Sequence, residues 1–131
     1  MAEEGIGTKV SVLGDKEYKA ALADIGRQLA LMNTAMTAST SAFDKNDESV
    51  EALTAKMKGL QSVYDVQAQK VKLISEQLEK AKQDYGENSK QVDNLQIALN
   101  RAQTAMNKTG SEIRDTERKL DGMESALDDS A

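Results

Sequence analysis

Proline, cysteine, histidine and tryptophan are all absent from this 131-residue chain. Without cysteine or histidine there is no zinc finger, thiolate cluster or imidazole metal site, and no Ser-His-Asp triad or Cys-His dyad. Without cysteine there is no disulfide scaffold, and cysteine usage says nothing about redox compartment. At ordinary usage roughly six prolines are expected in a chain of this length. Their absence suits long uninterrupted helices, because an interior proline removes a backbone donor and clashes with the preceding turn.

Other features are scarce. Aromatics make up only 3%, as Tyr18, Phe43, Tyr64 and Tyr85. The longest apolar run lies around Leu29 to Met32, far short of a membrane span. The start, Met1-Ala2-Glu3-Glu4, is acidic and has no apolar core after it, so no secretory signal is expected and the chain reads as soluble. The net charge is −5 and the pI about 4.8. That balance argues against direct nucleic-acid binding, which needs a basic face. No GxxxxGK[ST] loop is present, Gly5-Ile6-Gly7 is too little for a nucleotide fingerprint, and no base stands beside a serine or threonine. No catalytic residue, cofactor site or metal site is expected, and the chain does not read as an enzyme.

What the chain does contain is helical periodicity. Residues 1–14 hold Gly5, Gly7 and Gly14, with a weakly alternating Thr8–Leu13 between them. They read as an extended or disordered arm. From Gly14 onward Asp15 is a candidate N-cap, and apolar residues recur at spacings of three and four. The first run is Tyr18, Leu22, Ile25, Leu29, Met32, Met36 and Phe43. The second is Val50, Leu53, Met57, Leu60, Tyr64, Val71, Ile74, Leu78, Ala81 and Tyr85. The third is Val92, Leu95, Leu99, Ala102, Met106, Ile113, Leu120, Met123 and Leu127. The mean period is about 3.5, the heptad pattern of a left-handed coiled coil. Five of the six methionines lie on this seam, where filling a core is their ordinary role.

Two places break the pattern. Asp44-Lys45-Asn46-Asp47 offers N-caps before Val50, and Tyr85-Gly86-Glu87-Asn88-Ser89 joins a C-cap glycine to Asn88, with Gln91 placed for a capping box. Breaks near 44–48 and 86–89 give three helices of roughly 29, 38 and 38 residues, the last two matched as an antiparallel hairpin. The register points the other way. Phe43, Asn46 and Val50 are spaced three then four, and so are Tyr85, Asn88 and Val92, so one seam keeps phase from Tyr18 to Leu127. The expectation is therefore an all-α fold of long heptad-patterned coiled-coil helices over 15–127. They form either a continuous rod or two to three helices folded back, and a short acidic tail follows at 128–131.

A longer repeat runs through the seam. The polar positions Asn46, Gln67, Asn88 and Thr109 are each 21 residues apart, three heptads, and each is followed four residues later by Val50, Val71, Val92 or Ile113. With Asn46 at d and Val50 at a, the polar d residues are Ser39, Asn46, Gln67, Asn88, Thr109 and Thr116. Such residues fix register, or else mark places where the helix opens. The flanking positions Val63, Ala68, Ser75, Ala98, Gln103, Ala105 and Ala126 carry no charge. A wide apolar stripe of this kind suits three or more helices around one seam, supplied by other copies of the chain or by its own helices. Glu76–Lys80 and Asp115–Lys119 have the spacing of favourable surface pairs.

Three phrases carry a family resemblance: Gly14-Asp15-Lys16-Glu17-Tyr18-Lys19-Ala20-Ala21-Leu22, Ala42-Phe43-Asp44-Lys45-Asn46-Asp47-Glu48-Ser49-Val50-Glu51-Ala52-Leu53, and Tyr85-Gly86-Glu87-Asn88-Ser89-Lys90-Gln91-Val92-Asp93-Asn94-Leu95. Together they resemble the N-terminal region of tail tape measure proteins of long-tailed bacteriophages and prophages. The resemblance implies an extended helical protein in the tail tube lumen that sets the tube's length during assembly in the bacterial cytoplasm. It implies tail tube protein, tail assembly chaperones and tail tip or baseplate proteins as partners. Members of that family usually run to many hundreds of residues, so the resemblance also implies that this chain is a fragment. A cytoplasmic coiled-coil adaptor or scaffold, or a helical-bundle chaperone, fits the heptads as well.

Overall fold

The computed structural model describes residues 14–43 and 49–130, with side chains described as far as Met123. The expected arm over 1–13, the cap candidates of 44–48 with Asn46, and the side chain of Leu127 lie outside the described residues. Three helices follow one another: α1 (Asp15–Thr40), α2 (Val50–Tyr85) and α3 (Lys90–Ser130). The fold is all-α and takes the folded-back alternative, not the continuous rod. α3 runs on through Asp128 and Asp129, where the sequence suggested a separate tail.

Helix ends follow local chemistry. α1 begins without the expected Asp15 cap. Gly14 is the N-cap, with φ −68 and ψ 169 and no side-chain cap bond. Its carbonyl accepts from the Tyr18 N–H at 2.8 Å, which leaves Asp15 inside the first turn, where a carboxylate favours the helix dipole. The last turn of α1 has no basic residue. Hydroxyls serve its carbonyls instead: Thr40 Oγ1 donates to the Met36 carbonyl at 2.8 Å and Ser41 Oγ to the Ala38 carbonyl at 2.8 Å.

α2 is capped by Ser49, whose Oγ accepts from the Ala52 N–H at 3.2 Å. It ends where Gly86 takes φ +88 and its N–H donates to the Lys82 carbonyl at 3.1 Å. A side chain there would be strained, which is why glycine stops this helix. Ser89, one residue beyond the expected Asn88, caps α3 by accepting from the Val92 N–H at 3.1 Å. Asn88 is exposed.

α2 is the central helix, and both neighbours run antiparallel to it. Asp15 lies by Gln77 while Met36 lies by Gly59, and Ala81 shares a core with Val92 while Tyr64 lies by Gly110. No Cα of α1 comes within 8 Å of a Cα of α3 among the described residues. The hydrophobic core is built from Tyr18 of α1, Ile74, Leu78 and Ala81 of α2, and Val92, Leu99 and Ala102 of α3, with Val71 and Leu95 packed against it. The ring of Tyr64 lies against Gly110, which fixes the α2–α3 register and brings Ala81, Leu78, Ile74 and Val71 of this core near the levels of Val92, Leu95, Leu99 and Ala102. Residue n of α2 thus lies near the level of residue 173 − n of α3.

Candidate functional site

No helix among the described residues is long and apolar enough to cross a membrane. No group of three or more His, Cys, Asp or Glu side chains is placed to hold a metal ion among them.

The seam residues fall into three classes. Ile25, Leu53, Leu60, Ile74, Leu78, Val92 and Leu99 are buried. Leu22, Leu29, Met32, Met36, Phe43, Met57, Tyr64, Val71, Leu95, Met106, Ile113, Leu120 and Met123 are half-buried. Val50 and Tyr85, each at an end of α2, are 39% and 51% exposed. Because Tyr85 sits at the last residue of its helix, the chain turns away before α3 can cover it.

The polar seam positions behave differently according to side-chain length. Thr109 and Thr116 are buried, and each turns its hydroxyl back on its own helix, to Ala105 O at 3.2 Å and Glu112 O at 2.8 Å. A short hydroxyl can satisfy itself this way at little cost to packing. Gln67 cannot reach back in the same manner, and its Oε1 is buried without a hydrogen-bond partner. It lines a cleft of about 300 Å³ with Leu22 and Leu29 of α1, Ile74 of α2 and Ala98, Ala102 and Ala105 of α3.

Ala52, Val66 and Gln77 of α2 are also buried, and the seam did not include them. Together with Gly59 and Val63 they form a second stripe running one residue ahead of the first. It exists because a central helix must bury two faces. Gln77 Nε2 lies 3.5 Å from Asp15 Oδ1, joining the end of α2 to the start of α1. A second cleft, of about 330 Å³, opens there beside Tyr18 and Lys19. Burial pushes the Tyr18 phenol above its ordinary value of 10.0. On the surface, Lys80 reaches Asp84 at 3.6 Å, and Arg118 reaches Asp115 at 3.3 Å. The Arg118–Asp115 pair is solvated and contributes little to stability, whereas the Lys80 side chain is largely covered.

No family model matches the chain, and no curated protein or solved structure matches it.

Proposed function

We propose that this chain is a structural protein, the N-terminal part of a tail tape measure protein that occupies the tube lumen and sets tube length during virion assembly. One observation carries the reading: the apolar seam keeps a single heptad phase from Tyr18 to Met123 across both interruptions, without one proline. A ruler needs its helices to join without losing the packing stripe. At about 1.5 Å per residue, residues 15–127 reach roughly 170 Å as one helix. In the tube the helices associate by coiled-coil packing with further copies, three or more helices to a seam. Tube protein, tail assembly chaperones and tip or baseplate proteins are the partners that this role requires. The place of action is the virion, preceded by the host cytoplasm.

A second reading draws on the folded-back chain, which buries Ile74 to 1% exposure with no second copy. That favours a helical-bundle chaperone or a cytoplasmic adaptor.

Tail length separates the two readings. Two extra copies of Val50–Lys70, a 21-residue unit that preserves heptad phase, are inserted in frame into the full-length gene. A ruler lengthens the tails seen by electron microscopy by about 60 Å. Tails of unchanged length, or particles that never contain the protein, would remove the tape-measure reading.

A further inference from the structure

Tyr85 and Asn88 are seam positions that the hairpin leaves in solvent, one on each side of the turn at Gly86. The turn is only four residues long, from Gly86 to Ser89, and contains no proline. The spacing Tyr85, Asn88, Val92 keeps three then four, so the stripe stays in phase if this stretch becomes helical.

We propose that two copies of this chain exchange α3: the turn straightens, α2 and α3 become one helix, and the long helices of the two copies pair antiparallel. The hairpin register makes this exchange close. Tyr64 against Gly110 sets residue n of α2 near the level of residue 173 − n of α3, so the twofold axis of such a dimer would fall close to residues 86 and 87. About that axis every α2–α3 level is remade between the copies with the same partners. One level is added: Tyr85 of each copy meets Asn88 of the other, burying both positions. α1 stays on its own α2 and meets the partner's α3 where it now meets its own. Gly86 and Glu87 take outward-facing heptad positions b and c, so neither crowds the axis.

The exchange trades local bonds. The hairpin loses the Ser89 N–H to Gly86 carbonyl bond at 3.2 Å and the Ser89 cap on α3. The straightened stretch gains the helical bonds that the turn interrupts. Exchange of an element at a short hinge is a general route to dimers. It needs no phage tail and would operate in any scaffold built from this chain.

Two substitutions act on the hinge in opposite directions. Gly86→Ala strains the hairpin at φ +88 and favours the helix, raising the dimer association constant on the order of tenfold or more. Lys90→Pro suits the first residue of α3 but cannot sit inside a continuous helix, so it lowers that constant on the order of a hundredfold or more. Each protein is heated and cooled at high concentration, then measured by light scattering, circular dichroism and small-angle X-ray scattering. The expected result is a dimer of twice 14.2 kDa with a longest dimension near 120 Å, the rise of residues 50–130. It should be enriched in Gly86→Ala and absent from a Lys90→Pro monomer of unchanged helicity. If Gly86→Ala forms no more dimer than the parent, or Lys90→Pro dimerises equally, or the dimer is no longer than about 65 Å, exchange at this hinge is wrong.

Discussion

Gly59 of α2 faces Met36 of α1 so closely that a Cβ built on it would stand 2.6 Å from Met36 Cγ and Sδ and 3.0 Å from Met36 Cβ. Glycine inside a helix ordinarily lowers its stability by about 1 kcal/mol relative to alanine. Here it lets the two helices approach. Gly26 of α1 has open space where a Cβ would go. Gly26→Ala should therefore stabilise by about 0.5–1 kcal/mol in urea unfolding. Gly59→Ala should fall about 1–2 kcal/mol below it, since Met36 must move. Equal gains from both would show that α1 does not pack at Gly59.

Gln67 puts a polar oxygen into a largely apolar cleft. Its Oε1 is buried with no partner, a situation that costs about 1–3 kcal/mol. Gln67→Leu keeps the side chain's bulk against Leu29 and Ile74 and removes the orphaned oxygen. A gain of about 1–2 kcal/mol in unfolding free energy is the expected outcome. A loss would mean that the amide has a role in fixing register that outweighs its burial.

Ile74, at 1% exposure, is the largest side chain buried this completely among the described residues, and it shares the core with Leu99. Ile74→Ala should lose about 3–4 kcal/mol. Leu31, at 71% exposure, supplies the control, with Leu31→Ala within about 0.5 kcal/mol of the parent. Similar effects at both sites in thermal unfolding would contradict the placement of the core.

Tyr18 predicts the alkaline limit. Burial raises its phenol above 10.0 in the folded chain, while the unfolded chain titrates at the ordinary value. The folded state thus holds its proton where the unfolded state releases it. The contribution is complete below pH 10 and is lost as pH climbs through the raised folded value. Tyr18→Phe should leave stability near pH 7 unchanged within about 0.5 kcal/mol and shift this part of the alkaline loss to higher pH. An unfolding profile above pH 10 identical to the parent's would show that Tyr18 is not its source.

The helices themselves were legible in the sequence, because spacing of three and four and the absence of proline admit little else. Whether they fold back was not. A stripe in phase across Gly86 fits a rod, but it equally fits a hairpin whose a and d positions face each other around residues 86 and 87. Gly86 decides it through its positive φ. Caps were misplaced by one residue at both Asp15 and Asn88, since Gly14 and Ser89 compete for the same role with nearly equal local chemistry. The second stripe of α2 was also readable. Ala52, Gly59, Val63 and Val66 recur at seven, four and three, but a two-residue seam counts one buried face and a central helix has two. Which polar seam residues are satisfied followed from side-chain length, visible only once the helices had neighbours.

The central structural claim is that one chain closes on itself, with α1 and α3 both packed on α2. Small-angle X-ray scattering of the dilute protein, with mass measured on the same sample, tests it directly. A 14.2 kDa monomer is expected, with a helical body near 60 Å long, the rise of the 41-residue α3. A dilute monomer approaching 170 Å, or the absence of a folded monomer at any concentration, would contradict it.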